Sequence, residues 1–292
     1  MNTFLTSAKR NPNLEVIIFS NIVFQSEFPE NVKQIPFSFE ELKGLVNEKI
    51  ESKVNLKDPY KLCDLKPMYG HVFSEYIKDY SFWAFGDLDL IFGDLDLVLK
   101  KLENEEYDLI SLRRSWISGC LCFIKNSRKT NLLYKQSKDL EFILSNERYL
   151  GFDEISLRWD VIRSLPLNEI EFPYDNFTKI AFSSNTLKIF SEDLIKEAVG
   201  KNEYLVWENK KIFNNKGVEY VLYHFITEKR KFYFQYLKLN QIPQKLFVNR
   251  FGFFTSHQFG KTRIITSINR RINALPSFIL FLLKRIRNKI FN

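Results

Sequence analysis

Cysteine is scarce in this chain. Its three cysteines, Cys63, Cys120 and Cys122, stand at no metal-ligand or redox spacing, which argues against a thiolate-held metal and against a dithiol redox centre. Cys120 and Cys122 alternate along an apolar run and read as packing. No signal peptide opens the chain, so a reducing cytoplasm is the expected compartment. A membrane-spanning run is also missing. The strongest apolar stretch of the tail, from Phe278 to Leu283, has six residues, far short of the roughly 20 that cross a bilayer. No familiar nucleic-acid module is present, and no nucleic-acid partner is expected. Acidic residues stop at Glu228, whereas residues 229–289 carry 14 Lys and Arg. The rest of the chain then has 29 basic residues against 35 acidic ones, so a net charge of +8 hides a body of about −6 with a basic tail. Such a tail calls for an anionic partner.

What is present is the composition of a folded protein, 45% hydrophobic and 27% charged over 292 residues. That length suits one large domain plus an appendage. Residues 14–19 read as a buried strand stopped by Ser20 and Asn21, and residues 39–50 as a helix. A second helix is predicted from Lys66 and Pro67 to Tyr80, with Val72, Phe73, Tyr76, Ile77 and Tyr80 as its apolar stripe. Strands are expected at 81–85, 108–111 and 119–124, and helices at 95–104, 128–145 and 152–164. Strands alternating with helices indicate an α/β sandwich around a mixed sheet. Beyond residue 230 the pattern turns aromatic, basic and irregular. A boundary is placed there, with 1–230 as the main domain and 231–292 as a basic extension.

The chemistry centres on residues 86–97, which read GDLDLIFGDLDL, the same five residues twice. In an extended chain Asp87 and Asp89 share one face, with Leu88 and Leu90 turned to the core. Two neighbouring carboxylates at the end of a buried strand repel each other and resist desolvation, and a divalent cation relieves both problems. Hard oxygen ligands suit Mg²⁺ or Mn²⁺. The plainer alternative is a pair of solvated loop acids. The second copy has its own explanation: Asp94 as a helix N-cap and Asp96 in the positively polarised first turn.

Context bears on that choice. Residues 59–70 (PYKLCDLKPMYG), a helix, and then residues 82–94 (FWAFGDLDLIFGD) resemble a bacterial family of GT-A-like glycosyltransferases found among surface-polysaccharide genes. The likeness extends over most of residues 1–235 and is most specific at 59–94. The same layout is similar to GT-A mannosyl- and galactosyltransferases. The resemblance implies a GT-A-like Rossmann-type α/β/α sandwich. It implies that Asp87 and Asp89 hold Mn²⁺ or Mg²⁺, with His224 completing the metal site. Asp64 is expected on donor-sugar hydroxyls, Lys61 and Lys66 near the phosphates, Asp87 also near the ribose, and Lys229 and Arg230 on the diphosphate. Asp153 is implied as general base or as the group that orients the acceptor, and Ser118-Gly119 as a place where the acceptor approaches the backbone. One departure stands out: residues 2–7 already resemble the helix that follows the first GT-A strand, and that strand is not visible.

The expected activity is therefore transfer of a sugar from a nucleotide-diphosphate donor to a hydroxyl of a surface glycan, capsule or lipopolysaccharide. The acceptor would be a glycan or lipid-linked glycan. The stretch from Phe278 to Phe291 reads as a basic interfacial helix, which would hold the enzyme peripherally on the anionic inner face of the plasma membrane. Two alternatives stay open, a degenerate non-catalytic scaffold of the same fold and a basic nucleic-acid-binding protein.

Overall fold

The computed structural model describes residues 2–24, 27–104, 106–231, 234–236 and 243–255. The first half opens with helix α1 (Asn2–Lys9), strands β1 (Val16–Ser20) and β2 (Val32–Pro36), and helix α2 (Phe39–Lys49). Helix α2 starts on a capping box: the Ser38 side chain accepts from Glu41 N and the Glu41 carboxylate accepts from Ser38 N. The single helix expected over 66–80 is instead a string of short pieces. A 3₁₀ turn at Pro59–Lys61 leads into α3 (Leu62–Leu65), a 3₁₀ turn at Lys66–Met68, α4 (Tyr69–Val72) and α5 (Ser74–Ile77). Pro67 supplies no amide proton inside this stretch, and Phe73 adopts a non-helical φ/ψ of −100°/25° between α4 and α5. Gly70 lies under the Trp83 ring, where a β-carbon would come within 2.4 Å of Cε2. The break thus serves close packing of this segment on the next strand.

That strand is β3 (Phe82–Gly86), followed by β4 (Leu90–Phe92), α6 (Asp96–Glu103), β5 (Leu109–Ser111) and β6 (Leu121–Lys125). Three helices follow, α7 (Arg128–Asn131), α8 (Leu140–Ser145) and α9 (Phe177–Phe182), so the helical pattern over 128–145 is present in pieces. The helix expected over 152–164 is not formed. Those residues are turns, with Ser156 and Leu157 at φ of 51° and 61°, which no α-helix accommodates. The chain continues with β7 (Ile189–Ser191), β8 (Ile195–Lys196), β9 (Leu205–Glu208), β10 (Lys211–Asn214), β11 (Glu219–Tyr220), β12 (Leu222–His224), α10 (Ile226–Lys229), β13 (Lys245–Asn249) and β14 (Gly252–Phe254). Residues 243–255, expected to be irregular, thus include two paired strands. Their alternation of buried Leu246 and Val248 with half-buried Lys245, Phe247 and Asn249 is that of a one-face-buried sheet. The predicted interfacial helix from Phe278 to Phe291 lies outside the described residues. Among the described residues no helix is long and apolar enough to cross a membrane.

The protein is α/β, with several sheets rather than one. It divides into two compact units, each discontinuous in sequence. The first comprises Met1–Leu14, Asp89–Asp94 and Ile195–Asn292; the second comprises Glu15–Leu88 and Leu95–Leu194. In the first unit β12 pairs antiparallel with β4 and parallel with β8, and β11-β10-β9-β13-β14 form an antiparallel sheet. Its core is Ile91, Trp207, Tyr223, Phe225, Phe253 and their neighbours, and helix α1 packs on β4 through Phe4 and Phe92. In the second unit β3-β6-β5-β7 form a mixed sheet, while β1 and β2 pair in parallel as a separate ribbon. Its core gathers Leu65, Met68, Trp83, Phe85, Leu109, Cys122 and Ile124. Cys120, just before β6, and Cys122 within it are both buried; neither these two nor Cys63 is in a disulfide.

Candidate metal and acid sites

In the first unit, β4 and β12 bring the second acid of the repeat to a histidine. The register sets His224 opposite Leu90, and Phe225 N donates to Asp89 O at 3.2 Å, which fixes Asp89 beside the end of β12. Asp89 Oδ2 then lies 3.3 Å from His224 Nε2 and 2.6 Å from Lys229 Nζ. Lys229 reaches back because α10 begins right after β12, with Lys229 N donating to Phe225 O at 2.8 Å. Burial opposes ionisation of Asp89, but His224 and Lys229 outweigh it and hold the carboxyl well below its usual range. Side-chain exposure is 6% for His224, 13% for Asp89 and 38% for Lys229, so the cluster opens to solvent on the lysine side. Arg230 is exposed at the end of α10.

The donor set fits a divalent cation. Imidazole and carboxylate ligands bind such ions at about 2.1 Å, so two adjacent ligands of one ion stand about 3 Å apart. The Asp89–His224 spacing matches that bite. Two neighbours escaped the sequence reading. Tyr236 is half exposed on a cluster of Phe225, Phe234 and Phe253, and burial together with the Asp89 charge raises its pKa. Glu228 is fully buried and accepts from Val199 N at 3.1 Å. Tyr236 lies past the boundary set at residue 230, and Glu228 offers no signal beyond being the last acid of the chain.

The repeat divides as the sequence suggests in part. Asp94 forms an ion pair with Lys210 at 3.1 Å in the first unit, and Asp96 lies in the first turn of α6 in the second. Leu95, rather than Asp94, occupies the N-cap position of α6. The alternation predicted for 87–90 fails at Leu88. The chain bends at Leu88 and Asp89, leaving Leu88 exposed while Leu90 is buried.

The second unit holds a buried network of acids and lysines. Asp87, at the end of β3, donates from its backbone N to Cys120 O at 3.0 Å, continuing the β3–β6 ladder. Its carboxylate Oδ1 accepts from Lys66 Nζ at 2.8 Å, and the same ammonium donates to Gly119 O at 2.7 Å and lies 3.8 Å from Asp153 Oδ2. Burial works against charge on Lys66, but Asp87 and Asp153 outweigh it and hold its pKa well above normal. Asp153 is 2% exposed and its Oδ1 accepts from Tyr149 OH at 2.8 Å. Burial, only partly offset by Lys66, pushes Asp153 up to about 7. Glu154 accepts from Gly119 N at 2.6 Å, and burial followed by the charge of Asp153 raises it as well.

Gly119 makes this arrangement possible. A β-carbon there would lie 2.6 Å from Glu154 Cγ and 2.7 Å from Asp153 Oδ2. At Gly119 the groups that come close to the backbone are these two carboxyl side chains. Asp153 belongs to a turn rather than to the helix expected over 152–164.

Lys61 and Asp64 have a different setting from the one the resemblance implies. Both side chains are completely buried. Lys61 Nζ donates to Asp64 Oδ2 at 2.7 Å, Ile143 O at 2.6 Å and Arg148 O at 3.1 Å, which uses all three ammonium protons. Asp64 also accepts from Leu150 N at 2.9 Å and Phe152 N at 2.8 Å. As placed, neither can touch a ligand. Their charges pin the loop that carries Asp153 and Glu154.

His71 bonds the Tyr134 hydroxyl at 2.8 Å and is a packing residue; His257 lies outside the described residues. Residues 1–256 match a family of unknown function, DUF6625, and the chain belongs to that family. No curated protein and no solved structure matches the chain.

Proposed function

We propose that the chain is a metal-dependent glycosyltransferase of GT-A-like architecture. It moves a sugar from a nucleotide-diphosphate donor to a hydroxyl of a bacterial surface glycan, capsule or lipopolysaccharide. The observation that carries this reading is the Asp89–His224–Lys229 cluster, a carboxylate and an imidazole at one ion's bite with a partly exposed ammonium on the same oxygen. Mn²⁺ or Mg²⁺ is the cofactor that donor set suits, and Asp87, two residues earlier, is the third candidate ligand. Bound there, the cation would offset negative charge on a diphosphate.

The protein's own residues take the other parts. Lys229 and Arg230 supply cations for phosphate oxygens. Lys66 orients the Asp87 carboxylate through its 2.8 Å bond. Asp153, with a pKa near 7, is the acid best matched to accept a proton from an acceptor hydroxyl at neutral pH. Lys61 and Asp64 are left out of the ligand set because their hydrogen bonds are fully used inside the fold. The acceptor would be a lipid-linked or growing glycan at the inner face of the plasma membrane, reached through the basic tail.

One observation favours a second reading. A 2.6 Å ion pair on a largely buried carboxylate is also how a purely structural bridge looks, as in a non-catalytic scaffold of the same fold. Calorimetry with a panel of UDP- and GDP-sugars, with and without Mn²⁺, separates the two. The enzyme reading requires Mn²⁺-dependent binding of at least one donor. A folded protein that binds none of them is the scaffold.

A further inference from the structure

We propose that Lys229 is a stand-in for the cation: its ammonium holds the Asp89 ligand oxygen until a divalent ion displaces it, and is then released to bind a phosphate. The inference rests on the metal-site reading above, and it adds an order of events to it.

Three observations support it. Lys229 Nζ and His224 Nε2 converge on the same atom, Asp89 Oδ2, at 2.6 Å and 3.3 Å. An ion bridging Asp89 and His224 must use that oxygen, so it competes directly with the ammonium. With a metal bond of about 2.1 Å, the ion and the ammonium could stand no more than about 5 Å apart while sharing the oxygen, and two like charges that close repel strongly. Lys229 is also the member of the cluster that can leave. Its side chain is 38% exposed at the last residue of a four-residue helix, whereas His224 is held in the β4–β12 pairing and Asp89 accepts from Phe225 N beside it. A displaced ammonium beside a newly bound ion needs a new anion, and a ligand that brings phosphate to the ion supplies it.

The consequence is cooperativity. The cation binds weakly alone because it must evict Lys229, and a phosphate ligand that captures Lys229 raises the cation's affinity. By linkage the cation raises the ligand's affinity by the same factor. The ligand class is therefore a phosphate ester bound together with its metal, not a free sugar or glycan.

The test is Mn²⁺ titration of the full chain, followed by free-Mn²⁺ resonance, for wild type, Lys229→Met, Lys229→Arg and Arg230→Gln. Lys229→Met should bind Mn²⁺ alone about tenfold or more tightly than wild type, because the competitor is gone. Lys229→Arg should stay near wild type. Arg230→Gln, which removes a neighbouring charge that does not hold Asp89, should shift affinity by less than about threefold. At saturating Mn²⁺, UDP and GDP should bind Lys229→Met about tenfold more weakly. A measurement free of any variant accompanies this: covalent lysine labelling of wild type, read by mass spectrometry, should rise at Lys229 when Mn²⁺ is added.

If wild type binds Mn²⁺ but Lys229→Met binds it equally or less well, and labelling of Lys229 does not change, the stand-in role is overturned and the metal site survives. If nucleotide affinity at saturating Mn²⁺ is unchanged in Lys229→Met, the phosphate-capture role falls. If no folded variant binds Mn²⁺, both the inference and the metal-site reading fail.

Discussion

Replacing Asp64 with Ala tests the claim that this carboxylate builds the fold rather than grips a ligand. The substitution strips three partners at once: the Lys61 ammonium and the backbone amides of Leu150 and Phe152. Breaking a buried ion pair from one side costs about 3–5 kcal/mol, because the partner charge stays buried and unpaired. Each orphaned amide adds about 1–3 kcal/mol, reduced where water enters the space left behind. The expected loss is therefore at least about 5 kcal/mol, comparable with the whole stability of many domains. Lys61→Met should cost less, about 3 kcal/mol, since Asp64 keeps two amide donors. The pair should be strongly non-additive: Lys61→Met combined with Asp64→Ala removes both charges together and should lose less than the two single losses added. Urea unfolding without any ligand measures this, with the midpoint and slope compared across the series. A loss below about 1 kcal/mol for Asp64→Ala would show that this carboxylate does not hold the fold together. It would return Asp64 to the ligand-binding role that the resemblance implies.

Two further outcomes follow from the second unit. Asp153 titrates near 7 in the fold against an ordinary value of 3.8, so the fold favours its protonated form. That contribution is complete below about pH 4 and is lost as pH rises to 7. Over that window the thermal midpoint should fall more steeply in wild type than in Asp153→Asn; parallel curves would show that Asp153 is not the group responsible. Gly119→Ala should cost about 1–3 kcal/mol by driving its methyl into Glu154 and Asp153. Adding Glu154→Ala should recover part of that loss in urea unfolding, and strict additivity would mean the collision is relieved elsewhere.

Much of the local order was legible in the sequence. The apolar run at 81–85 becomes β3, the helix over 39–50 becomes α2, and the acidic pair falls at a strand end. The division of the repeat also survives at Asp96, which lies in a helix first turn. What could not be read depends on partners far away in the chain. Asp64 looks like an ordinary helix-start acid because its amide donors, Leu150 and Phe152, are 86 and 88 residues off. Residues 152–164 carry a helical apolar spacing, yet they form turns in which Asp153 lies near Lys66 and Glu154 accepts from Gly119 N, partners distant in the chain. Leu88 breaks the period-two pattern because the chain bends there rather than running on as one strand. The strands at 245–254 were hidden by basic and aromatic composition, which describes their half-buried face better than their pairing.

Asp89 and Asp96 occupy the same place in two copies of one motif, and only Asp89 is proposed to hold metal. Mn²⁺-dependent nucleotide-sugar binding, measured by calorimetry on wild type, Asp89→Asn and Asp96→Asn, tests this most directly. Asp89→Asn should abolish the Mn²⁺-dependent component, while Asp96→Asn should leave it within about twofold of wild type. Equal effects of the two substitutions, or full binding by Asp89→Asn, would contradict it.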